Sequence, residues 1–110
     1  MKIQEYKKFS ELIRDTDVYK VFDYKGLLNL TLSFTELGSL KNTKGHSHSD
    51  ADEIYFFVLG HGEIIVNGDR NDCEAGDVFI IPRGAFHKVA NLGNEKLCFW
   101  SVFEKYGDRK

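Results

Sequence analysis

Hydrophobic and polar residues alternate along much of this chain with a period of two. In "LLNLTLSFTEL", Leu28, Leu30, Leu32 and Phe34 fall on one side and Asn29, Thr31, Ser33 and Thr35 on the other. That period predicts a strand with two unlike faces. The polar row would face solvent, or else line a polar cavity; solvent is the expectation adopted. "EIYFFVLG", from Glu53, is apolar on both sides and rich in aromatic and β-branched residues, as in a strand covered on both faces. "EIIVNGDR" follows, and Asn67-Gly68 is a hairpin signal, because both residues tolerate positive φ. "GDVFIIP", "FHKVANLG" and "KLCFWSVF" continue the series. The segment around Phe9 to Arg14 alone has a helical pattern, and it is short.

Ten glycines punctuate these segments, with a single proline at Pro82. Strand-length runs separated by glycine turns predict an all-β sandwich or barrel rather than βαβ units. At 110 residues one domain over 1–110 is expected. No repeat, linker or low-complexity stretch interrupts it.

Composition narrows the function classes. The 42% hydrophobic content supports a real core, and the net charge of −2 gives no electrostatic reason for nucleic acid or an anionic membrane as partner. No apolar run approaches the roughly 20 residues of a membrane helix, and the first 17 residues hold no signal-like apolar block. The expectation is a cytoplasmic protein whose Cys73 and Cys98 are reduced, packed thiols.

The candidate chemistry lies in "HSHSDADE". His46 and His48 are two apart and project together from an extended chain. A cation could bridge them, and a short polar turn can bring Glu53 beside them. A bend at Pro82 and Gly84 could aim His87 at the same point. His61, in a "GHG" turn, is placed outside the site.

On these residues the sequence resembles the cupin family. His46, His48, Glu53 and Gly60 match its first motif over 46–60, and Gly76, Pro82, Gly84, His87 and Asn91 match its second over 76–91. Where the family often carries glycine, six positions before the first histidine, this chain has Leu40. The resemblance implies a cupin (double-stranded β-helix, or jelly-roll) barrel of six to eight strands in two antiparallel sheets. It also implies one divalent transition metal held inside by His46, His48, Glu53 and His87. Such a nitrogen and oxygen donor set suits Mn, Fe, Co, Ni, Cu or Zn.

Four ligands in a six-coordinate sphere leave two positions for a small polar substrate. The leading expectation is a metal-dependent isomerase or epimerase of a sugar or sugar phosphate. An Fe(II) dioxygenase or a non-catalytic binding protein for a small ligand are the alternatives. Tyr55 is a candidate catalytic residue. Phe57, Phe86, Trp100 and Lys44 are candidates for the substrate pocket, with Phe99 a further aromatic. Lys44, Arg83 and Lys88 flank the ligands and could meet an anionic substrate, but the expectation for each is a solvated surface charge. Finally, Ile54, Phe56 and Val58 form an outward apolar row that a lone barrel would leave bare. That row predicts a partner surface, and hence a homodimer.

Overall fold

A computed structural model describes residues 1–107. One helix, α1 (Ile3–Phe9), precedes nine strands. They are β1 (Glu11–Asp15), β2 (Tyr19–Tyr24), β3 (Leu30–Leu37), β4 (Glu53–Leu59), β5 (His61–Val66), β6 (Asp69–Glu74), β7 (Val78–Ile81), β8 (His87–Asn91) and β9 (Leu97–Glu104). All strand pairs are antiparallel. Six form one sheet, in the order β1-β2-β3-β9-β4-β7, and three form the other, β6-β5-β8. This is the two-sheet all-β jelly-roll architecture expected, with nine strands rather than six to eight. Asn67 and Gly68 make the two-residue β5–β6 turn, both at positive φ (49° and 85°).

The interior is zoned along the strands. Residues opposite each other in a ladder share a face, so the large sheet presents successive inward rows. At one end Leu37 lies opposite Leu97, and the next row holds Val21, Thr35, Phe99 and Phe57. Then come Asp23, Ser33, Ser101 and Tyr55, followed by Thr31, Phe103 and Glu53. The apolar end packs against Ile64, Cys73 and Val89 of the small sheet to form the main core. The other end is polar and holds Glu53 and His87.

Two expectations are corrected here. Thr31, Ser33 and Thr35 are buried and face inward, not toward solvent. Their apolar neighbours Leu32 and Phe34 face outward, where α1 covers them. Tyr6 of α1 is buried with Phe34 and Cys98, and Ile3, Phe22 and Trp100 pack around them. The Tyr6 hydroxyl donates toward the carbonyls of Phe22 (2.8 Å) and Leu32 (2.7 Å). Lys7 pairs with Glu36 of β3 at 2.6 Å.

Second, the helix lies at Ile3–Phe9 rather than around Phe9 to Arg14, and 11–15 is a strand. Seven residues are too few for a stable isolated helix. These anchors hold it, and pairing with β2 draws the next segment into the sheet. Cys73 and Cys98 are free and buried. Burial pushes their thiols up to about 12 and about 11 respectively. Among the described residues no helix is long and apolar enough to cross a membrane.

Leu40 takes φ 60°, the left-handed region that favours glycine, and its side chain is 69% exposed. Strain is therefore borne there with little packing in return. Leu40→Gly is expected to raise stability by about 0.5–1 kcal/mol, because relief of the left-handed penalty exceeds the extra chain entropy of glycine. Urea unfolding of both proteins measures it, and an unchanged or lower midpoint contradicts it.

Candidate metal centre

The polar end of the barrel gathers four side chains from three places in the chain. Glu53 opens β4 and points inward opposite Phe103. His87 opens β8 in the opposing sheet. His46 and His48 come from the segment before β4, and His46 bridges to His87 through both backbone groups (3.0 and 2.9 Å). The N–H of Gly84 donates to the carbonyl of His48 at 2.7 Å. Gly84 has φ 84°, so its turn is one a side chain would strain. This turn after Pro82 ties the loop carrying His48 to the loop that leads into His87.

Arg83, in the same turn, clamps the arrangement from outside. Its guanidinium pairs with Asp52 (3.2 Å) and Glu104 (2.9 Å). Its hydrogen bonds hold the Asp52 carboxyl below the usual range, and Asp52 in turn raises Arg83. Both groups are exposed, so their value is positional. Arg83 is thus occupied by carboxylates on the rim.

One ligand atom from each of His46, His48, Glu53 and His87 lies within 4.8 Å of the other three. Glu53 Oε1 is 3.1 Å from His48 Nε2 and 3.2 Å from His87 Nε2. A first-row ion bound at about 2.1 Å places adjacent donors about 3 Å apart, which these separations match. The state of His87 gives a sharper test of fit. Its Nδ1–H donates to the Ala85 carbonyl at 3.0 Å, so the lone pair of the neutral ring is on Nε2. That atom is buried, makes no hydrogen bond and faces a carboxylate oxygen. Two lone pairs aimed at one point repel unless a proton or a metal ion lies between them. A backbone carbonyl orienting the ring is also the usual outer support of a metal-bound histidine. The donor set therefore fits a divalent ion.

The cluster opens into a cavity of about 270 Å³. Of the residues expected at the site, Tyr55 and Lys44 line it, as do His46, Glu53 and Phe99. Tyr55 is stacked on Phe99 with ring centroids 5.0 Å apart. The other three pocket candidates lie elsewhere. Phe57 is fully buried beneath the cavity in the apolar core, because its row lies nearer the packed end of the barrel. Trp100 is on the outer face of β9, with its ring centroid 4.8 Å from that of Tyr6. Alternation dictates this once Phe99 and Ser101 point inward. Phe86 is 43% exposed, with its ring against Gly45, and is outside the cavity lining. His61 is exposed at the start of β5 and outside the cluster.

Sequence reasoning missed Arg14, Tyr19, Thr43, Ser101 and Tyr106, all of which line the cavity. The Tyr106 ring lies 4.4 Å from that of His48. Only Ser101 carried a usable signal, as the small polar residue between Trp100 and Val102. Asn91, the last residue of the second motif, has no role toward the cluster. Its amide donates to the carbonyls of Leu37, Gly38 and Glu95 and accepts from the Gly93 N–H, tying off the apolar end.

Comparison with known proteins agrees with this architecture. The Cupin domain family matches residues 39–103, and the chain belongs to the cupin family. An acireductone dioxygenase of Bacillus thuringiensis is 36% identical over 87 residues, 72% of this chain and 50% of that protein. An oxalate-binding protein of Thermotoga maritima is 39% identical over 57 residues, 52% of this chain and 47% of that protein. The chain spans about half the length of these curated relatives. The solved structure of KdgF from Halomonas sp. superposes with a TM-score of 0.77 at 18% identity, covering 89% of this chain and 88% of that one, which speaks to fold alone.

Equilibrium dialysis against Mn²⁺, Co²⁺ or Zn²⁺ is expected to give one ion per chain and a higher thermal midpoint with metal than without. Glu53→Gln and His87→Ala are each expected to weaken binding at least about tenfold. Wild-type protein that retains no ion, or variants that retain it equally well, would contradict the assignment.

Proposed function

We propose that this protein is a metal-dependent enzyme that rearranges a small polar metabolite bearing a hydroxy-carbonyl group, of sugar or sugar-phosphate isomerase or epimerase type. The observation that carries the reading is the three-imidazole, one-carboxylate cluster at the wall of a small cavity rich in hydroxyl groups. A divalent ion held there would act as a Lewis acid toward a chelated hydroxy-carbonyl. The chain's own residues supply the rest. Glu53 and the three histidines hold the ion. Ser101 and Thr35 offer hydroxyls to substrate oxygens. Tyr55, two residues along from Glu53 on the same face, presents its phenol as the candidate hydrogen-bond donor to a reacting oxygen. Phe99 and Val21 bound the cavity with apolar surface that limits water. Metal-loaded protein incubated with a panel of aldoses, ketoses and their phosphates is expected to interconvert at least one pair by NMR, and Tyr55→Phe to slow it about 10²-fold. A panel left unchanged overturns the isomerase reading.

A second reading, an Fe(II) dioxygenase on a small substrate, is favoured by the relatives called acireductone dioxygenase. Substrate-dependent oxygen consumption by the iron-loaded protein, without isomerisation, would decide for it. The relative called an oxalate-binding protein supports a third outcome, tight binding of a small ligand without turnover.

We also propose that the chain works as a homodimer. On the outer face Ile54 lies opposite Ile80, and Phe56 opposite Val78, beside the free edge of β7. All four are about half exposed or more, while Val58 of the same row is partly covered by the α1 cluster. A patch so apolar on a sheet face suits a second copy related by a two-fold axis. Light scattering is expected to give twice the chain mass, and Ile80→Lys to give the monomer. A monomeric wild type would overturn this.

A further inference from the structure

The cavity beside the metal cluster has a feature that holding a metal does not require. Along β1 the register slips by one residue. Glu11 lies opposite Asp23 and Leu12 opposite Phe22, but Arg14 rather than Ile13 lies opposite Val21, and Asp15 opposite Lys20. Ile13 is the extra residue of a β-bulge, a device that re-aims side chains near functional sites. In a regular ladder Ile13 would face Val21. Arg14 would then sit on the outer face opposite Lys20, two cations side by side. The bulge replaces that repulsion with an Asp15–Lys20 pair at 3.9 Å on the outside. It also brings Arg14, still exposed, beside Ile13 at the rim of the inward face, opposite the buried Val21.

Arg14 there stands over the Tyr19 ring at 5.8 Å and lines the same cavity as His46 and Glu53. Lys44, two residues before His46, lines it too. Among the described residues neither cation is in an ion pair, and Glu53 is the one carboxylate in the lining. With a divalent ion bound, the cavity would carry two positive side chains and a metal against Glu53 and the buried Asp23 in the row behind its lining, an excess of positive charge. A neutral ligand would leave that excess uncompensated.

We propose that Arg14, with Lys44, is the receptor for an anionic group on the substrate, a carboxylate or a phosphate, whose other end chelates the metal. The chelating end rests on the metal reading above; the anion receptor does not. A guanidinium presents paired N–H donors that match two oxygens of either anion, and its stacking on Tyr19 holds the fork without engaging it.

The test is calorimetric titration of Mn²⁺-loaded protein with two matched pairs of probes, ribose 5-phosphate against ribose and 2-oxoglutarate against 2-oxobutyrate. In at least one pair the compound with the anionic tail is expected to bind about tenfold more tightly or better. The pair that discriminates identifies phosphate or carboxylate. Arg14→Met is expected to remove that advantage, leaving the neutral-tailed compound, Mn²⁺ affinity and thermal midpoint unchanged, and Arg14→Lys to restore part of it. Equal binding within both pairs by the wild type, or an advantage that survives in Arg14→Met, overturns the proposal. Should Mn²⁺ itself not bind, the metal reading fails separately. The receptor is then read on the metal-free protein with inorganic phosphate and malonate. Binding lost in Arg14→Met supports it, and no binding by the wild type overturns it.

Discussion

The carbonyl of Ala85 accepts a hydrogen bond from the Nδ1–H of His87, and so fixes where Nε2 of that ring points: toward the carboxylate of Glu53, 3.2 Å away. Around this pair the barrel adds His48, almost buried, and His46, which is exposed at the cavity. Glu53 is 4% exposed and His87 1%. A buried carboxylate facing a lone pair costs several kcal/mol unless positive charge is supplied. A divalent ion would supply it, and the four donors are already spaced for one. The hydrogen bond from Gly84 to His48, the His46–His87 bridge and the Arg83 clamp all hold the two histidine-bearing loops in that relation.

The same constraint explains why the barrel is zoned. A polar cluster cannot share space with a close-packed apolar core, so the rows change character along the strands. Leu37, Leu97, Phe57 and Ile64 close one end, while Thr31, Ser33, Ser101 and Asp23 occupy the other. Turning β3's polar row inward leaves Leu32 and Phe34 outside, and α1 exists to cover them. Where α1 does not reach, over β4 and β7, the outer face stays apolar and open. The bulge in β1 belongs to the same economy, since it keeps like charges apart outside while adding a cation to the cavity.

Much of this was readable beforehand, and the failures share a cause. The strands, the Asn67-Gly68 hairpin and the residues of the cluster follow from local pattern: period two, turn chemistry, and histidines two apart before a glutamate. Trp100 and Phe57 were misplaced because an aromatic residue in a strand looks the same whether it faces a cavity, a core or a covering helix. Arg14 was missed because one inserted residue reverses the phase of β1, and a bulge has no signature in a charged five-residue segment. Leu40 was visible as a departure from the family pattern, but its left-handed backbone was not.

From its sequence alone, then, this chain is a β-barrel of the cupin kind whose side chains include four donors that could hold a metal. Those properties depend on alternation and short-range spacing, which the covalent order carries. Which face of β3 is the inside, which aromatics meet the cavity, and which cation lies across from the cluster were decided by tertiary structure. They depend on what packs against each strand from distant parts of the chain, and on a one-residue slip in register that only the neighbouring strand defines.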